Sequence, residues 1–522
     1  MRVRRRGGWE RALGGVVWVL CSVVLGMALA GCGAARVPVL AGGLPPPAAP
    51  VRAATPPVGA PAWQLSHPGL EHAIEGYADH VSVVPGEPVR MFVSTSAPEF
   101  TLTAFRMGAY PGSQGTQVWA SAPQRGVRQS APALLAATNT IVAPWQPSLS
   151  LSTGGWEPGD YLLRLDARPG GAQQFVPLTV RTASNAGRIV IVSAVTTWQA
   201  YNHWGGYSLY DSPSGQKAQR SRAVSFDRPY QAATMQGAGD FLYFELPFVS
   251  FAERSGLPLG YATDLDLHAD PHLLDGARAV VTLGHDEYWS QAMRTHTEAA
   301  RDAGVNLAFL GGNEVYRHIR LVPTALGPDR LEVDYKSFAE DPLSRTDPAE
   351  ATPQWRQPPL PRPESVLLGN FYQCNPAQAD LVAVDTGNWL LAGIVSHGTR
   401  LPAMVGNEYE RVDLSVPTPR PIEVLFHSPL TCQGRPDFAD TSYYTVPSGA
   451  AVFSSGTQYW ICGLDPGCPR AGPADGPTHR VLGAITTRLL EAFARGPAGP
   501  THPARDNLAE LHIGPGSTHP HE

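Results

Sequence analysis

The stretch ARAVVTLGHDEYWS, residues 277–290, decides the fold. Ala277–Leu283 is a continuous apolar run, the pattern of a strand buried on both faces. Gly284 breaks the run, and Trp289–Ala303 then reads as a helix closed by Gly304. Buried strand, glycine, helix is the layout of a nucleophile elbow. Here the turn carries His285 and Glu287 where a hydrolase would place Ser or Cys, and Ser290 is a nucleophile only if the turn lies later. An imidazole and a carboxylate on one short turn suit a metal ligand with a general base or outer partner. The structural alternatives are a capping or core histidine and a first-turn acid favoured by the helix dipole.

Working outward, Arg188–Ala194 (RIVIVSA), Leu257–Ala262 and Val305–Leu310 repeat the buried-strand pattern. Residues 237–255 read as an apolar-faced helix that Pro247 kinks or shortens. This rhythm predicts an α/β domain with a parallel sheet over residues 187–495. Its later part is expected to mix long loops with short strands such as Ala451–Ser454 and a last helix, Ala484–Arg495.

Ligands of open parallel sheets bind beyond the carboxyl ends of the strands. Three polar clusters fall there: TWQAYNHWGGYSLY (197–210), GHDEYW (284–289) and Gly311-Gly312-Asn313. The aromatic rings of the first cluster read as packing, as a sugar-stacking platform or as a source of phenolate. Tyr201 stands out because it lies nearest the strand end. Asp264 and Asp266 resemble a paired-carboxylate site, but their position at a strand end favours a capping role. Asp227 and Arg228 read as a salt bridge that orders a long loop, and Glu408 is not placed by the sequence.

Before the α/β part, residues 66–183 show short alternating strands split by turn residues and no strong helical period, which predicts an immunoglobulin-like β-sandwich. Residues 33–65 are rich in Ala, Pro and Gly, as a stalk would be. Residues 1–32 join a basic start, an apolar run from Val16 to Ala30 and Leu29-Ala30-Gly31-Cys32. That ending resembles a bacterial lipobox. It implies a lipid on Cys32 and an extracytoplasmic, membrane-anchored location. Four further cysteines then read as two disulfides, with Cys374–Cys432 and Cys462–Cys468 the favoured pairing among three. Residues 496–522 look like a loose tail whose histidines, among them His502 and His519, are an alternative metal-binding tract.

Composition narrows the class. The 522 residues carry a net charge of −6, and loss of residues 1–31, with five arginines and one glutamate, brings this to about −10. No nucleic-acid partner is expected of such a chain. With 43% hydrophobic residues, 53 Gly and 51 Pro, the chain is turn-rich yet able to build real cores.

Taken together, TWQAYNHWGGYSLY (197–210), VSFDRPY (224–230), YATDLDLH (261–268), GHDEYWS (284–290) and ARDAGVNLAFLGGN (300–313) resemble the C-terminal region of the N,N-dimethylformamidase large (beta) subunit over about residues 66–465. The resemblance implies a class I glutamine-amidotransferase-like (flavodoxin-like) α/β domain behind the sandwich. It also implies a mononuclear Fe3+ held by two tyrosines and one carboxylate. Carried over residue by residue, the ligands are Tyr161, in WEPGDY (156–161), Tyr201 and Glu287. His285 and Asn313 match the catalytic polar residues beside the metal. The implied activity is hydrolysis of a C–N bond in a small amide, with a partner subunit or homo-oligomer. The chain departs from the family in its anchor and stalk. The alternative expectation is a non-catalytic extracytoplasmic lipoprotein that binds carbohydrate or peptide.

Overall fold

The computed structural model describes residues 63–231, 237–466 and 476–514. The signal, Cys32, nearly all of the stalk, Cys468, His519 and His521 lie outside them.

The N-terminal part consists mainly of antiparallel strands, in keeping with the period-two pattern; the short edge strand Ser82–Val83 pairs in parallel, with Gln173–Val180. A three-stranded sheet runs Ile74–Ala78, Pro88–Thr95, Leu149–Ser152. A larger sheet is built on Gln173–Val180, Gly159–Arg168, Glu99–Tyr110 and Ser113–Ala120. Val89, Met91 and Val93 of the first sheet share one core with Leu102, Leu163, Leu165 and Val176 of the second. The opposite face of the first sheet is also used. Tyr77 and Phe92 stack at 4.7 Å and pack with Trp145 against Trp204.

The second part is organised by a seven-stranded sheet. In spatial order its strands are Leu259–Thr263, Ile189–Ser193, Ala279–Gly284, Asn306–Gly311, Ala451–Ser454, Arg435–Thr445 and Ile422–Cys432. The first five are parallel, and Arg435–Thr445 runs antiparallel to both of its neighbours, Ala451–Ser454 and Ile422–Cys432. Every residue of Ile189–Ser193, Ala279–Gly284 and Asn306–Gly311 is buried, which is why these strands lack alternation. Phe248, Met293, Leu482 and Leu489, from three helices, pack into the same core. The molecule is thus mixed: mostly sheet, with helices against the parallel strands.

Several boundaries differ from expectation for physical reasons. The helix after the GHDEYWS turn is Gln291–Asp302, capped by Ser290, whose Oγ accepts from Met293 N. Residues Tyr288–Ser290 are instead a short strand on Arg317–Thr324. Glu287 is therefore no first-turn acid. Before Pro247 the helix widens into a π turn, Phe241–Glu245, ahead of Leu246–Arg254; the prolyl nitrogen has no hydrogen to give to the preceding turn.

The later region has the expected long loops, at 334–364 and 383–399, and also long strand pairs that were not expected: Phe371–Val382 with Arg400–Arg411, and Ile422–Cys432 with Arg435–Thr445. Register shifts interrupt both pairs, which blurs the two-residue period. The last helix spans Gly476–Ala494. Residues 496–514 are not a loose tail. Asn507 and Leu508 are buried, and His502 stacks on Trp389 at 4.0 Å.

Candidate functional site

The site grows from three adjacent strand ends. Beyond Ile189–Ser193 the chain turns into the helix Val195–Tyr201. Thr197 and Tyr201, four residues apart, share one face of it. Thr197 Oγ1 accepts from Glu287 N at 2.9 Å, so this helix holds the backbone that follows Ala279–Gly284. Gly284 has φ +63°, and a Cβ there would lie 2.4 Å from Phe244 Cβ; only glycine makes this turn. At the end of Asn306–Gly311, Gly312 N donates to Gly284 O at 3.1 Å and leads into Asn313.

The side chains meet in a tight group. The Tyr201 hydroxyl lies 2.6 Å from Glu287 Oε2 and 2.9 Å from the Tyr210 hydroxyl. The Tyr210 hydroxyl donates to Glu287 Oε1 and Oε2 at 3.1 and 3.2 Å. The two phenol rings stack at 4.6 Å. His285 Nε2 stands 3.3 Å from the Tyr201 hydroxyl and 3.4 Å from Glu287 Oε2. His285 Nδ1 donates to Gly312 O at 3.2 Å and stands 3.6 Å from Glu408 Oε2. Glu408 accepts from Asn375 Nδ2 at 2.5 Å and Gln458 Nε2 at 3.0 Å, and the Asn313 side chain bonds the same carboxylate. Arg317 Nε approaches Glu287 Oε1 at 3.5 Å. A cavity of about 640 Å³ opens over the group, lined among others by Tyr201, Tyr210, Glu287, Asn313 and Glu408.

Tyr201, Glu287, His285 and Asn313 are thus together, as their motifs require. Tyr161 is not with them. It sits in the core of the N-terminal sheets, stacked on Trp156 at 4.9 Å, and its hydroxyl donates to Glu157 O at 2.6 Å. The WEPGDY element supplies a strand tyrosine for packing. The phenol beside Tyr201 is Tyr210, from the aromatic loop itself. Two residues the sequence left unassigned therefore join the site: Tyr210, hidden among rings that mostly pack, and Glu408, which a distant hairpin brings in.

The other aromatic residues of that loop form no open platform. Trp198 and Trp204 are buried, bonded through their indole N–H groups to Glu245 and Glu75 at 2.9 and 3.0 Å. Arg228 orders the loop by donating to the carbonyls of Asn202, Trp204 and Tyr207. It does so without Asp227, which pairs with Arg330 at 2.5 Å. Asp266 caps a helix from within a Thr263 capping box, and Asp264 accepts from Thr196 N at 3.0 Å. Both carboxylates are structural.

Charge is unevenly shared. Burial raises the Glu287 pKa, but the His285 hydrogen bond and charge, with Arg317 and Lys336, outweigh it and bring the carboxyl to about 2. Burial lowers His285, but Glu408 and Glu287 hold it up at about 10. Burial and then Glu287 push both Tyr201 and Tyr210 well above the ordinary phenol range. Left to the protein alone, the two phenols keep their protons; a highly charged cation at the same place inverts that logic.

The donor set fits such a cation. Oxygens on neighbouring positions of an octahedral ion, at bond lengths of about 2.0 Å, lie about 2.8 Å apart. The phenol and carboxylate contacts here span 2.6 to 3.2 Å. All three donors are hard oxygens, which suits Fe3+. Among the described residues no group of three His, Cys, Asp or Glu forms a metal site; the converging donors are mainly phenols. Asn313 Oδ1 is buried beside them without a hydrogen-bond partner.

The fold and site define a mixed α/β protein with a buried phenol–carboxylate centre at the carboxyl rim of its parallel strands. Residues 101–472 match the family described as N,N-dimethylformamidase beta subunit-like, C-terminal, and the chain belongs to it. Comparison with curated proteins gives no match. One disulfide joins Cys374 to Cys432 on the cavity wall. Cys462 is also disulfide-bonded, while Cys468 lies outside the described residues.

Proposed function

We propose that this chain is an iron-dependent amide hydrolase, tethered outside the cytoplasm by a lipid on Cys32. The single observation that carries the catalytic reading is the convergence of Tyr201, Tyr210 and Glu287 oxygens at ligand spacing. Family membership supports the amide as substrate class. The spatial order of the five parallel strands, second, first, third, fourth, fifth in chain order, supports a flavodoxin-like, amidotransferase-related domain. The shared core of the two N-terminal sheets supports an immunoglobulin-like sandwich before it.

When bound, the ion supplies a Lewis acid for the amide carbonyl and lowers the pKa of a water. The chain does the rest. Glu408, at the cavity wall beside His285, takes a proton from water as it adds to the carbonyl carbon. Asn313 uses one amide hydrogen on Glu408 and has a second for the substrate oxygen. The C–N bond then breaks, the amine leaves with the proton and the acyl part leaves as a carboxylic acid. His285 Nδ1–H is fixed on Gly312 O, so its Nε2 faces Tyr201 and Glu287 and orients them. The beta-subunit description of the family supports a partner subunit.

Iron content and turnover of small formamides and acetamides, measured on the full chain in detergent, test this reading. The expected result is about one iron per chain with turnover, both reduced in Glu287→Ala. Equal iron in both proteins removes Glu287 from the centre, and undiminished turnover by iron-free protein rejects the metal role.

A further inference from the structure

A third phenol stands behind the pair. Tyr288 is fully buried, and its hydroxyl donates to the Tyr210 hydroxyl at 2.6 Å. Lys336 Nζ donates to the Tyr288 hydroxyl at 2.9 Å and lies 3.2 Å from the centre of the Tyr210 ring. The strand pairing of Tyr288–Ser290 with Arg317 to Ile319 fixes Tyr288. Lys336 follows the strand Gly327–Val333, with φ +54° and its backbone N–H on Asp334 Oδ1 at 2.6 Å.

The direction of this chain follows from its members. A ring face attracts an ammonium and repels a nitrogen lone pair. With its N–H groups toward the Tyr210 ring and the Tyr288 hydroxyl, Lys336 is the donor of the pair. Tyr288 must accept from Lys336, so its one hydrogen goes to Tyr210. Tyr201 has different company: Glu287, Tyr210 and His285. The two site phenols are thus chemically unlike, although their rings stack.

We propose that Tyr288 and Lys336 are positioning residues that hold Tyr210 in place and make it the weaker donor of two phenolate ligands. This rests on the iron reading above. A hydrogen bond drawing on one phenolate oxygen lowers the charge it gives the ion and leaves the ion a stronger acid toward the amide carbonyl.

The test uses the full ferric-loaded chain with Tyr288→Phe, Lys336→Met and Lys336→Arg, each checked for folding by circular dichroism. Readouts are iron content, the position of the visible tyrosinate-to-iron band, kcat and KM. Tyr288→Phe and Lys336→Met are expected to keep iron, to move the band to longer wavelength and to lower kcat by about tenfold, the scale of one charge-assisted hydrogen bond, with KM little changed. Lys336→Arg is expected to move band and kcat back toward wild type. A wild-type band that stays fixed in both Tyr288→Phe and Lys336→Met overturns the relay, as does iron loss in Lys336→Met that Lys336→Arg fails to restore. A wild-type chain with neither iron nor band overturns the iron reading itself, and the relay with it.

Discussion

The Tyr201 hydroxyl and Glu287 Oε2 meet at 2.6 Å across 86 residues of chain. The contact exists because Ile189–Ser193 and Ala279–Gly284 are neighbouring parallel strands. Their carboxyl ends open side by side, and Thr197 Oγ1 ties one end to the backbone N–H of Glu287 on the other.

A covalent link crosses the cavity wall. Cys374 and Cys432, 58 residues apart, join the two long hairpins where both line the site. Replacing both by Ser is expected to destabilise the chain by up to about 4 kcal/mol, the chain-entropy value for such a loop. It should also raise KM for an amide more than it lowers kcat. Denaturant unfolding and steady-state kinetics check this; an unchanged KM would show that the wall keeps its shape without the link.

Arg330 joins the two parts of the molecule. It pairs with Asp227 at 2.5 Å and donates to the carbonyls of Ala78, Asp79 and Phe226. Arg330→Met leaves Asp227 buried and unpaired and is expected to cost about 3–5 kcal/mol. Unfolding of Arg330→Met, Asp227→Asn and the double variant measures it. Additive losses would contradict a coupled pair.

His318 predicts acid sensitivity. Burial pushes its imidazole down to about 4, and the ring stacks on Trp355 at 4.1 Å. The neutral form is favoured in the folded state, so its stabilising effect is full above the unfolded pKa of about 6.5. It is lost as pH falls through the folded value, a change of about 3 kcal/mol in all. Wild type is expected to lose more stability than His318→Phe between pH 7 and pH 4. Parallel losses in the two proteins would contradict the assignment.

Much of this was legible in the sequence wherever burial on both faces produced unbroken apolar runs. Ile189–Ser193, Ala279–Gly284 and Asn306–Gly311 lie where the runs place them, and their polar exits carry Tyr201, His285, Glu287 and Asn313. The long hairpins were hidden because register shifts break their alternation. Tyr210 and Glu408 were hidden because spatial convergence, not local pattern, gives them their place. Tyr161 misled for the opposite reason: a strand tyrosine that packs on Trp156 carries the same local pattern as one that faces a site.

The most direct measurement is the visible absorption spectrum of the full ferric-loaded chain beside Tyr210→Phe and Tyr161→Phe. A tyrosinate-to-iron band is expected in wild type and, unchanged, in Tyr161→Phe, with the band weakened and displaced in Tyr210→Phe. A band that survives intact in Tyr210→Phe, or disappears in Tyr161→Phe, would contradict the centre described here.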